Sequence, residues 1–241
     1  MNSRRPRAPK RHLFGAAILL GLGALLLYQL GLFTMIVWYN FQNPGETAFM
    51  NHTLTELRAS NPKAALERKW TPYTEINTSL KRAVIASEDA KFTDHEGVEW
   101  DAIRKAWEYN QRQAAEGKRR VRGGSTITQQ LAKNLFLSSS RSYLRKGQEL
   151  VLAYMIELVM SKKRILELYL NVAQWGSNIF GAESAAQHYY RTSAGRLNAA
   201  QAATLAAMLP NPAYYDEHRS TSYLRSRAGT IEKRMRLAAI P

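Results

Sequence analysis

An uncharged, apolar segment near the start of the chain is the strongest feature of its hydropathy pattern. No acidic or basic residue occurs from Leu13 to Tyr39. A helix of roughly 20 apolar residues crosses about 30 Å of hydrocarbon, so this segment is long enough to span a bilayer. It exceeds the apolar region of a cleavable signal peptide, the alternative interpretation, and no clean small-residue cleavage site closes it. We therefore predict a transmembrane anchor over residues 13–39.

The segments on either side of the anchor predict its orientation. Residues 1–12 contain several arginines and lysines but no acid, and basic flanks of this kind stay in the cytoplasm. Residues 40–45 are interpreted as a linker because they carry Asn-Pro-Gly turn chemistry. We therefore expect a single pass through the cytoplasmic (inner) membrane, with the N-terminus inside. Residues 46–241 would then lie on the periplasmic or extracellular side.

Residues 46–241 show mostly helical periodicity, with apolar positions recurring three and four residues apart. Clean alternating runs of β-branched residues are missing, and no internal repeat is evident. Longer loops are expected only at residues 96–99 and 116–124. The pattern therefore predicts one mainly α domain outside the cytoplasm.

Composition adds a strong positive charge to this picture. The 241 residues carry a formal net charge of +15, and subtracting the five Arg and Lys residues of the flank leaves +10. Such an excess favours a polyanionic partner, either anionic lipid, a phosphorylated substrate or nucleic acid. Nucleic acid is the least expected of these outside the cytoplasm. The chain has no cysteine, which excludes disulfides, thiolate metal ligands and a cysteine nucleophile.

One acidic side chain stands out because it lies on an apolar helix face. Asn77 is a suitable N-cap, and the helix that follows places Leu80, Val84 and Glu88 on one face. Glu88 therefore lies on the core-facing stripe at the end of this helix. A carboxylate that has lost hydration in this way can act as a general base or acid. A structural ion pair is the alternative interpretation.

The other acidic residues near Glu88 are interpreted differently. Their spacing, with His95 among them, matches neither a calcium loop nor an HExxH zinc helix. Asp94 and Glu96 are interpreted as solvated loop charges, and His95 is expected to cap the turn at Gly97. We predict no metal ligands in this segment.

A basic segment with two glycines, RRVRGGSTITQQLAKNLFL, comes next. Nine arginines and lysines but a single acid occur between residues 112 and 146. Thr126 and Gln129 fit a capping box, and the free N–H groups of a helix N-terminus form a natural anion site. The lysine lies too far from the glycines for a Walker loop. We expect a diphosphate or lipid headgroup here, and a solvated basic face is the alternative.

A second acidic region follows in an apolar context. Residues 150–156, LVLAYMI, form an uninterrupted apolar run that predicts a buried core helix. Arg145 lies four residues before Glu149, so these two side chains are expected to pair, whereas Glu157 is interpreted as structural. Two acids in apolar helices with cations between them suggest sugar chemistry with a phosphate leaving group.

Five segments resemble, in order, the motifs of the peptidoglycan glycosyltransferases of family 51. They are ASEDAKFTDHEG, GGSTITQQLAKNLFL, RKGQELVLAYMIE, KKRILELYLNVAQWG and LAAMLPNP, between residues 86 and 212. The anchor with a single domain resembles a monofunctional biosynthetic member. A lone SxxK from Ser60 to Lys63 lacks the SxN and KTG motifs of a transpeptidase, and we interpret it as chance.

The resemblance implies a lysozyme-like helical glycosyltransferase domain with a cleft open to the membrane. It implies polymerisation of lipid II by inverting transfer, which forms β-1,4 MurNAc-GlcNAc links and releases undecaprenyl diphosphate. Glu88 would be the base, and Glu149 the second catalytic glutamate that helps to hold the substrate. The positions that it implies for substrate binding are Lys133, Arg141, Gln130, Asn134, Ser125, Thr126, Arg145, Lys146, Asp89, Phe92 and His95.

The implied role is in cell-wall biogenesis and cell shape. Expected partners are lipid II, the lipid-linked glycan strand and membrane lipid, with proteins of cell-wall synthesis or division as further candidates and no nucleic acid. No cofactor is expected to be required, and a divalent metal such as Mg²⁺ is left open. The rival interpretations are a lytic enzyme on the same scaffold and a non-enzymatic membrane scaffold. The basic segment favours synthesis, because a lytic enzyme does not need a diphosphate site.

Overall fold

The computed structural model describes residues 10–118, 123–137 and 142–241, and these residues are mainly helical. The predicted mainly α fold with one N-terminal apolar helix is therefore confirmed. The helices are α1 Lys10–Phe41, α2 Ala48–Ser60, α3 Thr78–Glu88, α4 Trp100–Ala115, α5 Ile127–Phe136, α6 Tyr143–Val159, α7 Lys162–Val172, α8 Ala182–Tyr190, α9 Ala199–Met208, α10 Pro212–Glu217 and α11 Ser222–Arg234.

Two short strands and three turns of 3₁₀-helix complete the described elements. Strand β1, Glu67–Arg68, pairs in parallel with β2, Ile179–Phe180. The 3₁₀ turns are Tyr73–Glu75, Ala194–Arg196 and Met235–Leu237. The parallel pair joins two segments that are far apart in sequence, and it lies beside α8.

Helix α1 is both a membrane-length helix and a part of the folded domain. It has 32 residues, which at 1.5 Å per residue is about 48 Å and exceeds the roughly 30 Å of a hydrocarbon core. The segment from Phe14 to Phe41 is long and apolar enough to cross a membrane. Leu32 and Ile36, however, are buried in the domain core. The last turns of α1 therefore pack against the domain, although the sequence pattern assigned them to the anchor.

Arg164 on α7 holds the C-terminal end of α1. Its guanidinium donates hydrogen bonds to the carbonyl oxygen of Tyr39 at 2.8 and 3.0 Å and to that of Gln42 at 2.9 Å. It also pairs with Glu167 at 2.7 Å. The last carbonyls of a helix lack partners within the helix, so a cation there satisfies them. Arg164 therefore fixes the point at which α1 ends.

Two groups of helices form the domain, and α5 lies at the centre of one of them. Helix α5 packs against α2, α6 and α7, while α9 packs against α3 and α11. On α5, Ile127 and Leu131 are fully buried, which follows from its amphipathic spacing. The two groups meet where the end of α3 contacts the start of α5.

Helix α6 corrects one expectation from the sequence. Leu152 and Ile156 are buried as predicted, but Leu158 is 79% exposed, and Val151 and Tyr154 are also exposed. The apolar run had predicted a buried core helix. Helices α1, α5 and α7 pack against α6, and within the described parts of the chain its remaining face stays exposed. An apolar stripe is therefore left on the surface.

The loop between α3 and α4 depends on a glycine that packs against α6. Gly97 has φ +85°, and a Cβ there would lie 2.9 Å from Cγ of Glu157 and 3.1 Å from the carbonyl oxygen of Ala153. Gly117 also has a positive φ, +66°, but nothing lies within 4 Å of its Cβ position. The two glycines share a left-handed backbone conformation and differ in crowding.

We predict that Gly97→Ala lowers the free energy of unfolding more than Gly117→Ala does. Left-handed backbone strain costs about 1–2 kcal/mol at either position, and overpacking adds about 1–3 kcal/mol at Gly97 alone. Thermal unfolding of the detergent-solubilised proteins, followed by circular dichroism, measures both losses. Equal losses would contradict the close approach of this loop to α6.

Candidate active site

Glu88 ends α3 with its carboxylate held on two sides. Gln130 donates from Nε2 to Oε2 at 3.1 Å, and Ser87 donates from its hydroxyl to Oε1 at 2.9 Å. Arg227 lies 3.8 Å from Oε1. The Glu88 side chain is 12% exposed, so it retains a small opening to solvent. Its oxygens are oriented but not enclosed, which suits a group that exchanges a proton with a ligand.

The local structure of α3 agrees with the sequence pattern. Asn77 caps the helix by accepting a hydrogen bond from the Ser79 backbone N–H at 2.8 Å. Leu80 and Val84 are fully buried on the face that carries Glu88. The helix stops at Glu88 because the next residue is extended, with φ −160°. The neighbouring carboxylates of Glu88 and Asp89 therefore lie in different surroundings.

Asp89 binds the N-terminus of α5. This buried carboxylate accepts the Ile127 backbone N–H at 3.0 Å and contacts Nε2 of His95 at 2.9 Å. A helix N-terminus favours an anion because its N–H groups are free and its dipole is positive there. We expected a phosphate of the ligand near this point. The Ile127 N–H of this helix N-terminus is used by the protein's own Asp89, and the expected phosphate site stays a prediction.

Tyr169 orients Gln130 toward Glu88. Its hydroxyl donates to Oε1 of Gln130 at 2.9 Å, which leaves the amide nitrogen of Gln130 to donate to Glu88. Burial, and then the charges of Glu88 and Asp89, raise the pKa of Tyr169 well above its usual range. The hydroxyl therefore stays protonated and remains a donor. Gln130, predicted to line the ligand site, connects Glu88 to the core.

A second charged group surrounds Glu149 on α6. Arg145 pairs with this buried carboxylate at 3.0 Å, as the four-residue spacing predicted, and Lys146 contacts its other oxygen. Lys146 also donates to the Ser125 hydroxyl at 2.8 Å, which ties the glycine loop to α6. The two cations exceed the single acid. This side of the site therefore keeps a net positive charge.

Lys133 on α5 joins the two groups. Burial lowers its pKa, and the nearby charges act in both directions. Glu149 and Glu88 raise the pKa of Lys133, while Arg145 and Lys146 lower it. Its ammonium also lies 4.9 Å from the centre of the Phe49 ring. Lys133 thus lies within electrostatic reach of both glutamates, and we call Lys133, Arg145 and Lys146 the cation cluster.

Several predicted site residues lie beneath the surface and contact the protein itself. Thr126 donates its hydroxyl to the Gly97 carbonyl oxygen at 2.6 Å and forms the predicted capping box with Gln129. Phe92 is fully buried, and Asn134 is 5% exposed. In the structure these side chains stabilise the frame around the ligand site, with Asp89 among them.

The loop after α3 and the side chain of Glu157 have the structural roles that the sequence pattern predicted. His95 caps the turn as expected, since its Nδ1 accepts the Gly97 backbone N–H at 3.1 Å, and Asp94 and Glu96 are exposed. Glu157 has a structural role: it accepts a hydrogen bond from Thr128 at 2.6 Å and pairs with Lys162.

Arg141 lies outside the described residues. No cluster of three or more His, Asp or Glu side chains in the described ranges could hold a metal ion.

Sequence reasoning missed two residues that reach the site. Arg227 on α11 donates to the Ser87 hydroxyl at 3.1 Å across 140 positions of sequence. Nothing in the pattern of the C-terminal segment indicated this contact. Tyr169 lies on the buried face of α7, where an aromatic residue is expected for packing alone.

The chain is similar to known proteins over most of its length. The transglycosylase family matches residues 52–236. The chain is 66% identical over 226 residues to the biosynthetic peptidoglycan transglycosylase of Bordetella pertussis, across 94% of this chain and 93% of that protein. It is 64% identical to the protein of that name in Bordetella avium, across 94% and 95%. The one from Methylobacillus flagellatus is 54% identical, across 96% and 99%.

We predict that Asp89→Asn destabilises the fold and that Asp94→Asn does not. The first change weakens the charged contacts with Ile127 and His95, at a cost of about 1–3 kcal/mol. The second removes the same charge from an exposed loop, where changes stay within about 0.5 kcal/mol. Thermal unfolding in detergent compares the two. A similar loss in both variants would show that Asp89 does not hold α5.

Proposed function

The chain belongs to the transglycosylase family and is a peptidoglycan glycosyltransferase, and on this premise we propose that it polymerises lipid II into glycan strands. The observation that carries the proposal is that α5 contacts Glu88 through Gln130 and also carries Lys133, while Arg145 and Lys146 pair with Glu149 nearby. The charges of both glutamates and both cations shift the pKa of Lys133. A transfer with a diphosphate leaving group needs a base for the incoming hydroxyl and cations for the departing phosphate.

Glu88 is the carboxylate best suited to act as the base. The Asp89 carboxylate accepts a hydrogen bond from the N-terminus of α5, and the Glu149 carboxylate is buried between two cations. Glu88 has mostly neutral partners and a small opening to solvent. In the proposed step it takes the proton from the 4-hydroxyl of the acceptor GlcNAc. Gln130 and Ser87 hold its oxygens in place for that transfer.

The bond changes follow from the geometry of inversion. The acceptor oxygen attacks the anomeric carbon of the donor MurNAc on the face opposite to the diphosphate. The bond between that carbon and the diphosphate oxygen breaks, and undecaprenyl diphosphate leaves with the electron pair. The product is a β-1,4 link, and the proton remains on Glu88 until solvent removes it.

The cation cluster stabilises the charge on the leaving diphosphate. Lys133 is partly buried, so an anion beside it interacts more strongly than it would in water. Glu149 holds Arg145 and Lys146 in place and thereby orients the donor. These cations supply the positive charge that the step needs without a cofactor. A divalent ion such as Mg²⁺ would supplement them at the same phosphates.

The proposed location follows from α1. A single pass with the N-terminus inside places the domain on the periplasmic or extracellular face of the cytoplasmic membrane. Membrane-length α1 supports this proposal. A lipid-linked donor and acceptor are confined to the same membrane, so the anchor keeps enzyme and substrate together. The product would feed cell-wall biogenesis.

We predict that Glu88→Gln abolishes polymerisation of labelled lipid II while the protein stays folded. Loss of a general base costs about 10²–10⁴-fold in rate. The matched control is Glu96→Gln, the same change at an exposed carboxylate of the neighbouring loop. Gel separation of the labelled products measures strand formation, and circular dichroism checks the fold.

Three results would contradict the proposal. One is a Glu88→Gln variant that polymerises within about threefold of the Glu96→Gln control, far above what loss of a base allows. Another is a wild-type protein that shortens preformed glycan and makes no polymer, as a lytic enzyme would. The third is neither polymer nor shortening in any variant, as a scaffold without activity would give.

A further inference from the structure

A pair of glutamines joins the membrane-length helix to the helix that carries the cation cluster. Gln29 on α1 donates to Gln148 on α6 at 2.7 Å, and Gln148 donates back at 3.0 Å. Each amide therefore uses both its donor and its acceptor in a closed pair. Gln29 is the only amide side chain between Leu13 and Tyr39. Gln148 directly precedes Glu149.

The pair marks the position where α1 first contacts the domain. All the large apolar side chains of α1 from Phe14 to Tyr28 are exposed. From Gln29 onward, Leu32 and Ile36 follow at helical spacing on the face buried by the domain. Gln29 therefore begins the packed face of α1.

The length of α1 places this pair at a definite height in a membrane. Residues 10 and 29 are separated by about 28 Å along the helix axis at 1.5 Å per residue. The hydrocarbon core is about 30 Å thick. If the basic flank lies at the inner boundary, Gln29 lies near the outer boundary of the hydrocarbon. An unpaired amide there would be costly, so the partner on α6 matters.

Two polar contacts, with the buried Leu32 and Ile36 between them, define the direction of α1 relative to the domain. Arg164 holds the carbonyl of Tyr39 at the end of the helix. Gln29 lies ten residues earlier, about 15 Å away along the axis. Together these contacts fix the tilt, and with it the height of α6.

We propose that the Gln29–Gln148 pair is a positioning device that holds the cation cluster at the height of a membrane lipid's diphosphate. This inference rests on the proposed function. Arg145 and Lys146 lie on α6 within one turn of Gln148. The phosphates of a lipid-linked substrate lie just outside the hydrocarbon, at the level of the pair. The contact thereby matches the site to a substrate that cannot leave the membrane.

The first experiment compares Gln29→Leu, Gln148→Leu and the double variant. Leucine removes the amide and keeps α1 apolar, so anchoring is retained. The matched control is Thr34→Leu, because Thr34 is exposed and, among the described residues, its hydroxyl bonds to the Leu30 carbonyl of its own helix. Each protein is assayed in liposomes with full-length lipid II and in solution with a short-chain, water-soluble lipid II analogue.

We expect the two single variants and the double variant to lose the same activity on full-length lipid II. The loss in kcat/KM should be about three- to tenfold, the range of one interhelical hydrogen-bonded contact in membranes. Either single change breaks the whole pair, so the effects do not add. Activity on the short-chain analogue and the activity of Thr34→Leu stay at the wild-type level. Equal losses on both substrates, or no loss, would overturn the positioning role.

A second measurement tests the contact without using activity. The chain has no cysteine, so Gln29→Cys with Gln148→Cys introduces a single pair. Mild oxidation in membranes should form an intramolecular disulfide, detected as a mobility shift under non-reducing conditions. Leu30→Cys with Gln148→Cys is the control, since Leu30 is exposed on another face of α1. Similar cross-linking in both pairs, or none in either, would overturn the contact.

The two readouts separate this inference from the proposed function. Cross-linking of the Gln29 pair with no polymer from the wild-type protein would refute the polymerase proposal and the positioning role, and leave the contact itself established. Polymer formation without selective cross-linking would refute only the positioning device.

Discussion

The contact between the Asp89 carboxylate and the N-terminus of α5 is the interaction on which the site depends. Asp89 follows directly after the last residue of α3, and its oxygen accepts the Ile127 backbone N–H. Because Gln130 and Lys133 lie three and six residues further along α5, this one contact sets where both side chains stand relative to Glu88. The proposed base, Glu88, and the first cation, Lys133, are therefore placed by the packing of two helix ends.

The cations of the site exceed the negative charge of Glu149. Burial and the neighbouring cations lower the pKa of Lys133, while both glutamates raise it. The charged lysine is thus less favourable alone than it would be with one more anion beside it. The proposed diphosphate would supply that anion. Glu149 pairs with Arg145 and Lys146 without cancelling their combined charge, which suits the proposed binding of a diphosphate.

Local features of this architecture were predictable from the sequence, and long-range contacts were not. The N-cap at Asn77, the capping box at Thr126 and the Arg145–Glu149 pair all join residues within four positions, and the structure has each of them. The approach of Arg227 to Glu88 depends on how α11 packs, which no local pattern encodes. Exposure of one face of α6 was missed for the same reason, since an apolar run does not state which faces have partners.

The central claim is that Glu88 and Lys133 have separate tasks, proton removal and diphosphate binding. Isothermal titration of a short prenyl diphosphate into the wild-type, Lys133→Gln and Glu88→Gln proteins tests this most directly. The account predicts that Lys133→Gln weakens binding about tenfold or more, as expected for loss of a charged hydrogen bond. Glu88→Gln should leave the Kd within about twofold. Equal weakening in both variants, or unchanged binding in Lys133→Gln, would contradict the account.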